Sequence, residues 1–332
     1  MNTRIIHAHA LDALRTMPDK SVHCCISSPP YWGLRSYGTE PQIWGGDQHC
    51  NHQWMTSPSA HRAKPTRKTS AMRHSSTSQA QAQATIEEPS DFCGLCGAWR
   101  GEHGLEPTME LWIANAVSIF AEIHRVLRDD GTLWINIGDT YATDQNGRPA
   151  AAVRTLQTDD RSFRDKPFST ATAAIPSKNR LMLPARLAIA LQDAGWYCRD
   201  ELIWFKPNPM PSSARDRTCP AHEMVYLLAK QPRYYFDDIA ILEDSSPKTR
   251  PGRKDGKTIN PIDGGNGFDR RPGTLHRSLR PTKRMRRSVW SINPEPCRDA
   301  HFATFPTKLI LPMIEASTSE VGVCVHCGAP FQ

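Results

Sequence analysis

The chain has 332 residues, 39% of them hydrophobic and 23% charged, a balance typical of a protein with a packed core and some irregular sequence. No run approaches eighteen apolar residues, and residues 1–17 lack the plan of a secretory signal, so the sequence argues against export and predicts a cytoplasmic protein. The formal charge is +7, and residues 248–287 alone hold thirteen Lys or Arg against three Asp. Such a block favours a polyanionic partner, with a solvated basic loop as the alternative.

The first predicted strand ends in an unusual turn. The β-prone run VHCCISS is followed directly by Pro29, Pro30 and Tyr31. Two consecutive prolines supply no backbone N–H, so they cannot continue a central strand and they fix a stiff turn. The turn therefore holds the Ser28 hydroxyl and the Pro29 carbonyl in one geometry with the aromatic ring that follows.

This arrangement suits a substrate that carries an exocyclic amine on a flat ring. The Ser28 hydroxyl and the Pro29 carbonyl can accept hydrogen bonds from the amine, and Tyr31 offers a stacking face worth roughly 1–3 kcal/mol. Most of the rate would come from holding the nitrogen in line with an activated methyl donor. A nucleobase would first have to leave its duplex. The alternative interpretation is an ordinary proline loop.

Residues 45–108 are predicted to be an insertion with a metal site. Its middle, residues 57–90, has almost no large apolar side chains and is predicted to be disordered. A C-x-H pair precedes this stretch and a C-x-x-C pair follows it, which suits a closed, structural Zn²⁺ site. His49 could replace His52 as the histidine ligand. The alternative interpretation of the whole motif is a set of unrelated free thiols. The predicted ligands are Cys50, His52, Cys93 and Cys96.

The remaining pattern alternates helices and strands. A helix is predicted from an N-cap at Thr108 to a stop at Gly131, followed by the buried strand TLWINIGD. A second helix, RLMLPARLAIALQDAGW, ends at Gly195 and precedes the strands YCRDELIWFK and HEMVYLLAK. An amphipathic helix closes the segment HFATFPTKLILPMIEAS. This alternation predicts an α/β sheet with functional loops at the strand ends.

Several polar residues near the ends of these strands are candidates for contact with a base or a phosphate. For Asp139 the alternative is a cap on the following turn, and for the others it is a solvated loop. His222 and Glu223 either orient the pocket or simply open a strand, and the second interpretation is favoured. The candidates for the base pocket or DNA are Asp139, Lys206, Asn208 and Arg217.

The turn motif resembles that of a known family. Ser28-Pro29-Pro30-Tyr31 is similar to the catalytic motif of the DNA amino-methyltransferases, which form N4-methylcytosine or N6-methyladenine. The serine version resembles the N4-cytosine branch, since adenine enzymes more often carry Asp or Asn there. The segments LRDDGTLWINIGD, LPARLAIALQDAGWYCRDELIWFKPNPMPSSARDR with HEMVYLLAK, and HFATFP resemble further family segments. Their order matches the circularly permuted class.

The resemblance implies a Rossmann-like methyltransferase sheet, S-adenosylmethionine as donor and double-stranded DNA as substrate. It implies a nucleoid-associated enzyme of a restriction–modification or phage DNA-protection system that flips its target base. The alternatives are an N6-adenine enzyme of the same fold and a non-catalytic, zinc-containing DNA-binding remnant. The residues that the resemblance places at the donor site are His301, Phe302, Thr304, Phe305 and Pro306.

The sequence departs from the family pattern near its end. A Gly-rich cofactor loop of the F-x-G-x-G kind is expected after LILPMIEAS and does not occur, and Cys324/Cys327 have no later partner pair. We therefore expect a C-terminally truncated or split enzyme, with an incomplete sheet, an open edge beside the first strand and doubtful activity alone. The missing fragment would be supplied separately.

The predicted domain organisation follows from these segments. It comprises the catalytic-motif part of the core (1–44), the insertion (45–108), the rest of the core (109–244), a basic target-recognition segment (245–290), a cofactor-site segment (291–316) and a Cys-rich start (317–332).

Overall fold

A computed structural model describes residues 3–58, 87–143, 169–244, 283–295, 304, 306–326 and 328–331. The chain divides into two compact units. The sheet unit comprises Met1–Tyr31, Ala116–Thr143 and Ala171–Gln332, and the insert unit comprises Trp32–Asn115 and Asp144–Thr170. Among the described residues, we find no helix with the length and hydropathy needed to cross a bilayer.

The described elements alternate between helices and strands over most of the chain. The helices are α1 (Ala10–Arg15), α2 (Met109–Val126), α3 (Leu183–Asp193) and α4 (Thr307–Ser317). The strands are β1 (Val22–Ser27), β2 (Gln42–Trp44), β3 (Trp54–Pro58), β4 (Glu87–Cys93), β5 (Trp99–Gly101), β6 (Leu127–Ile137), β7 (Tyr197–Phe205), β8 (His222–Ala229), β9 (Glu243–Asp244), β10 (Lys283–Arg284) and β11 (Val289–Ser291).

The sheet unit is built on a mixed five-stranded sheet. Its strand order is β1-β6-β8-β7-β11. The β1/β6 and β7/β11 pairs are parallel, whereas β8 runs antiparallel to both of its neighbours. The alternation of helices with these strands confirms the predicted α/β class. The sheet itself contains both parallel and antiparallel pairs. A short β9/β10 ladder stands apart from it.

The core of this unit lies on both faces of β6. Every residue from Gly131 to Ile137 is buried, which is typical of a strand covered on two sides. Successive side chains alternate between the faces, and Trp134 packs on the face that carries Leu309 and Met313 of α4. The indole N–H of Trp134 and the hydroxyl of Thr132 both donate to Ser317 Oγ, at 2.8 and 2.7 Å. These bonds tie α4 to the sheet.

The start of β6 differs from the prediction. Thr108 caps α2 as expected, since its hydroxyl accepts the backbone N–H of Leu111 at 3.2 Å. The helix, however, ends at Val126, and Gly131 lies inside the strand rather than after a helix. A Cβ at Gly131 would lie 2.9 Å from the carbonyl oxygen of His23, where the β1/β6 register shifts. Glycine serves here for the close approach of two backbones, not for a helix stop.

The other sheet-unit elements follow the sequence closely. Helix α3 has a proline in its first turn and is followed by Gly195 with φ +96°, as expected for a glycine that ends a helix. Strands β1, β7 and β8 and helix α4 coincide with the predicted segments to within a few residues.

The insert unit contains a four-stranded antiparallel sheet of order β2-β5-β4-β3. Strands β3 and β4 extend to Pro58 and Glu87, so both ends of the stretch 57–90 pair in a ladder rather than being disordered. That correction has a simple cause: backbone hydrogen bonds between the ends need no large apolar side chains. The rest of that stretch lies outside the described residues.

A buried acidic group links several residues of the insert unit. Glu106 is fully buried, and its carboxylate accepts Asn115 Nδ2 at 3.0 Å and the backbone N–H of Gly104 at 2.8 Å, with His103 Nδ1 at 2.6 Å. Because several partners surround the carboxylate, the cost of burying its charge is offset.

The outer edge of β1 borders an apolar cavity. In the described part of the chain, β1 pairs with β6 alone. The cavity has a volume of about 490 Å³ and is lined by His23, Cys24 and Ile26 of β1 together with Ile310, Ile314 and Thr318. An edge strand beside an apolar groove is a surface on which another strand can pair.

Candidate active site and metal centre

The proline turn lies at the carboxyl end of β1. Ser27 pairs with Ile135, so the turn that follows Ser27 lies beside the end of β6 at Gly138. Ser28 is exposed, whereas Pro29 is buried. Loops at the carboxyl ends of parallel strands are the usual place for ligands in α/β sheets. The turn thus presents one polar, accessible side chain on a rigid base.

Tyr31 is held by a carboxylate and an ammonium group from two other strands. Its hydroxyl donates to Glu223 Oε2 at 3.1 Å, and Lys206 Nζ donates to Glu223 Oε1 at 2.5 Å. Glu223 lies in β8 and Lys206 directly follows β7, where its ammonium also lies 4.1 Å from the ring centroid of Trp204. Glu223 therefore links the proline turn to Lys206, one of the residues predicted to contact the base or DNA.

Gly138 leaves the space that the tyrosine ring occupies. A Cβ at this position would lie 2.8 Å from Tyr31 Cε2 and 3.3 Å from the Glu223 side chain. Real Cβ atoms do not approach ring carbons that closely, so any side chain here would displace the ring.

Burial raises the pKa of Tyr31 well above its ordinary value, and the negative charge of Glu223 raises it further. Hydrogen bonds from the Ser28 side chain and from the Gly138 backbone partly oppose that rise. Tyr31 is accordingly protonated at neutral pH and acts as a hydrogen-bond donor.

The carboxylate of Asp139 binds the turn that follows it and the segment that leads into α3. Its Oδ1 accepts the backbone N–H groups of Thr140 at 2.9 Å and Leu183 at 3.1 Å, and its Oδ2 accepts Arg180 Nε at 2.6 Å. The bond to Leu183 reaches the first residue of α3. These contacts correspond to the capping alternative for this residue.

The other two loop candidates are exposed. Asn208 lies in the turn after β7. The Arg217 guanidinium stacks 4.0 Å from the ring centroid of Tyr141, and its Nη1 donates to the Thr218 carbonyl at 3.2 Å. Lys206, by contrast, is half-buried and binds Glu223, the partner of Tyr31.

Two of the five predicted donor-site residues are described. Thr304 is exposed, whereas Pro306 is buried and precedes the first turn of α4, where its carbonyl accepts the Leu309 N–H at 2.8 Å. His301, Phe302 and Phe305 lie outside the described residues.

The four predicted metal ligands come together in the insert unit. One ligand atom from each of Cys50, His52, Cys93 and Cys96 lies within 4.8 Å of all the others. The sulfur atoms of Cys50 and Cys93 are 3.9 Å apart, and Cys96 Sγ lies 3.4 Å from His52 Nδ1. Thiolates on one tetrahedral Zn²⁺ lie about 3.8 Å apart, since each Zn–S bond is about 2.3 Å long. The donor set and its spacing therefore fit such an ion.

Neighbouring groups lower the pKa values of two of these thiols. Burial opposes ionisation of Cys93, but backbone N–H groups and His52 outweigh it and lower the pKa of Cys93 to about 6. Backbone N–H groups of Asp47 and Ala98 lower the pKa of Cys96. A Cβ at Gly46, where φ is +71°, would lie 2.8 Å from Cys96 Sγ, so the chain needs glycine beside the cluster.

Of the two candidate histidines, His52 lies with the three cysteines. His52 belongs to the cluster and its ring stacks on Trp54 with centroids 5.2 Å apart. His49, the competitor, is exposed, and its backbone N–H donates to Asp47 Oδ1 at 2.9 Å.

Most of the basic segment lies outside the described residues, which resume at residue 283. There, Lys283 Nζ lies 2.5 Å from Asp244, while Arg284 and Arg287 share Glu243 at 2.8 and 2.9 Å. Three of the four basic side chains described there are thus paired with acids, whereas Arg286 lies over the Trp290 ring, 4.4 Å from its centroid.

A family of known proteins matches nearly the whole of this chain. The N6/N4 methyltransferase family, described as DNA methylase, matches residues 22–325. The chain belongs to this family of DNA methyltransferases. Its members use S-adenosylmethionine as the methyl donor.

Similar proteins include two curated methyltransferases. Type II methyltransferase M.XycI of Xanthomonas campestris pv. cyanopsidis is 33% identical over 314 residues, which cover 95% of this chain and 72% of the relative. M.Cfr9I of Citrobacter freundii is 32% identical over the same shares of the two chains. Among solved structures, PvuII DNA methyltransferase (cytosine-N4-specific) aligns over 94% of this chain and 69% of its own, with 12% identity and a TM-score of 0.46.

For this methyltransferase, the residue that sequence reasoning undervalued is Glu223. The favoured interpretation was that His222 and Glu223 open a strand, and they do begin β8, where His222 pairs with Phe205. The Glu223 side chain nevertheless contacts both Tyr31 and Lys206. The only sequence signal was the likeness of HEMVYLLAK to a family segment.

Proposed function

We propose that this chain transfers a methyl group from S-adenosylmethionine to the exocyclic N4 amine of cytosine in double-stranded DNA, with the target base flipped out of the helix. The observation that carries this proposal is the exposed Ser28 on a rigid, buried proline turn, with Tyr31 anchored behind it. A neutral hydroxyl beside a carbonyl suits an amine that must only be held and aligned. The resemblance of Ser-Pro-Pro-Tyr to the cytosine branch supports cytosine over adenine.

The roles of the turn residues follow from their chemistry. The Ser28 hydroxyl and the Pro29 carbonyl accept hydrogen bonds from the amine, which localises its lone pair for attack. The ring of Tyr31 supports the flipped base. Asp139, Lys206, Asn208 and Arg217 are assigned to the surroundings of the base and to phosphate contacts, Lys206 through its link to Glu223.

S-adenosylmethionine supplies an electrophilic methyl group when bound. Exposed Thr304 offers a hydroxyl and buried Pro306 an apolar wall, a combination that fits a donor with polar and apolar parts. We assign the wall of the S-adenosylmethionine site to these two residues together with His301, Phe302 and Phe305.

We further propose that the chain acts in a type II restriction–modification system, since its relatives M.XycI, M.Cfr9I and M.SmaI are type II methyltransferases. The basic segment 245–290 would bind the DNA backbone, so that affinity falls with salt. The insert unit would be held by one structural Zn²⁺ on the Cys/His cluster.

The open edge of β1 is proposed as the docking surface for a further polypeptide segment. The relatives extend beyond the stretch that they share with this chain, which is 72% of their length. A strand added to β1 would cover the apolar cavity lined by Ile26 and Ile314. Such a segment would also bring the glycine-rich cofactor loop.

The decisive experiment is mass spectrometry of nucleosides from DNA treated with S-adenosylmethionine and the chain restored with the C-terminal segment of a relative, with Ser28→Ala as the control. N4-methylcytosine that disappears in the variant supports the proposal, and N6-methyladenine alone overturns the choice of base. Salt-sensitive DNA binding without methyl transfer, even when the C-terminal segment of a relative is added, supports the non-catalytic DNA-binding alternative.

A further inference from the structure

We propose that Lys206 and Glu223 are positioning residues that act on methyl transfer through Tyr31, and that the Lys206 ammonium group neutralises Glu223 rather than a DNA phosphate. This inference rests on the proposed function and deepens it. It divides the basic residues that follow β7 by role: Lys206 holds the Tyr31 ring in place, whereas the exposed Arg217 is left to contact DNA.

Strand register brings the two side chains to one face of the sheet. Glu223 of β8 lies directly opposite Trp204 of β7, and Lys206 follows Trp204 by two residues. Side chains two residues apart along a strand point to the same face. The backbone N–H of Lys206 also donates to the Ala221 carbonyl at 2.8 Å, so the ladder continues just beyond β7. The position of Lys206 beside Glu223 is therefore set by the sheet.

The Lys206 ammonium group has partners on two sides. Its Nζ lies 2.5 Å from Glu223 Oε1 and 4.1 Å from the centroid of the Trp204 ring. The indole N–H of Trp204 donates to the Ile292 carbonyl at 2.8 Å, which fixes the ring under the ammonium group. The Lys206 and Glu223 side chains are only 19% and 21% exposed. A phosphate would have to separate this ion pair and leave the Glu223 charge without its partner, which is costly away from water.

Glu223 passes this constraint on to Tyr31. Its second carboxylate oxygen, Oε2, accepts the Tyr31 hydroxyl at 3.1 Å. The backbone at Gly138 lies against the edge of the same ring, where a Cβ would be 2.8 Å from Tyr31 Cε2 and 3.3 Å from the Glu223 side chain. The ring is thus held at its hydroxyl by Glu223 and at its edge by Gly138. These contacts fix the ring on which the flipped base is proposed to stack.

Loss of the ion pair should therefore affect the chemical step more than DNA binding. Without the Lys206 ammonium group, the Glu223 carboxylate gains by turning toward water, and Tyr31 loses the partner that holds its hydroxyl. A shift of about 1 Å in a group that positions a substrate can cost on the order of 10²-fold in rate. Contacts between the DNA backbone and the protein surface are unchanged by such a shift.

A double-mutant cycle in the chain restored with the C-terminal segment of a relative tests the proposal. Lys206→Met and Glu223→Gln each keep the approximate size of the side chain and remove its charge. Each should lower kcat for methyl transfer by about 10- to 100-fold, with KM for DNA changed by less than about twofold. Because both act through one contact with Tyr31, the double variant should lose no more than the larger single loss, and losses that multiply overturn the proposal. The double variant buries no unpaired charge, so it keeps the test possible if a single variant is unstable.

The salt dependence of DNA binding separates a positioning role from a phosphate contact. Each phosphate contact contributes about 0.9 to the slope of log K against log salt concentration. Lys206→Met should keep the slope of the parent, and a slope smaller by about 0.9 would show that Lys206 binds phosphate and overturn the proposal. Arg217→Met, which removes an exposed guanidinium, is the contrasting variant and should lose about 0.9 from the slope.

A measurement without catalysis distinguishes failure of this inference from failure of the proposed function. The ring resonances of Tyr31 in protein labelled with ¹³C-tyrosine, assigned with Tyr31→Phe, should shift in both Lys206→Met and Glu223→Gln. Glu201→Gln is the matched control, because Glu201 Oε1 accepts the Tyr226 hydroxyl at the same 3.1 Å, and it should leave both kcat and the Tyr31 resonances unchanged. Tyr31 resonances that stay in place in Lys206→Met overturn the inference. Resonances that move in a protein whose restored parent transfers no methyl group overturn the proposed function instead.

Discussion

The proline turn of the sheet unit and the Cys/His cluster of the insert unit are both small groups of polar side chains, but different forces hold them. Tyr31 meets a partner 192 residues away in sequence, through strands whose packing is set by the buried core. In the cluster, Cys50 meets Cys93 at a separation of 43 residues, and the hairpin of β3 and β4 brings the two pairs together. The turn therefore depends on the sheet, whereas the cluster is assembled by a local hairpin and would be held by the proposed zinc ion.

The largest expected effect concerns the cluster. Cys93→Ser should reduce bound zinc from one ion per chain to none, because the remaining three ligands leave the site open. Structural zinc sites contribute on the order of 10 kcal/mol or more to the folding of small domains, so the insert unit should lose its melting transition. Elemental analysis and thermal unfolding measure the two effects. Cys198→Ser, a half-buried cysteine on β7, is the control and should keep its zinc.

The next largest effect is expected from a substitution in the buried core that positions the turn. Leu309 is fully buried in α4 against Trp134, and Leu309→Ala should lower the free energy of unfolding by about 2–5 kcal/mol. Zinc content should not change. Leu311→Ala, on the same helix at 49% exposure, should change stability by less than about 0.5 kcal/mol. Equal losses from both variants in urea unfolding would contradict the assignment of this core.

A substitution beside the proline turn should lower the free energy of unfolding less than Leu309→Ala does, but should strongly reduce methyl transfer. Gly138→Ala places a Cβ against the Tyr31 ring and should cost about 1–3 kcal/mol through crowding. Because the ring must move, methyl transfer should fall far more than stability does. Gly38→Ala, where φ is +68° and no atom lies within 4 Å of the new Cβ, tests a glycine change without crowding. Its methyl transfer should match that of the parent.

The smallest effect is a pH dependence at the surface of the sheet unit. The hydrogen bond from Lys20, at 2.7 Å, lowers the pKa of the exposed Asp129 below its ordinary value. A depressed carboxyl pKa stabilises the folded state above the ordinary value, and this stability is lost as pH falls through the lowered pKa. Lys20→Met should therefore cost about 0.2–1 kcal/mol at neutral pH, less in high salt, and nothing in strong acid. A pH series of urea midpoints for both proteins measures the difference.

Local sequence patterns determined much of this protein. The proline pair ends β1 whatever surrounds it, because proline has no N–H to donate. The hydrophobic spacing determined α3 and α4, and Thr108 determined the start of α2. The C-x-H and C-x-x-C pairs indicated the four residues that form the cluster. These features depend on neighbours within a few residues, so the sequence alone predicts them.

Only the tertiary structure decided which distant side chains meet. Glu223 begins a strand, as its sequence context indicates, but the antiparallel β8 brings its carboxylate to Tyr31 and Lys206. Gly131 has the sequence context of a helix stop and instead lies where two strand backbones approach. His52 rather than His49 joins the cluster because the hairpin aligns it with Cys96. In each case the outcome depends on strand register and packing, which no short stretch of sequence contains.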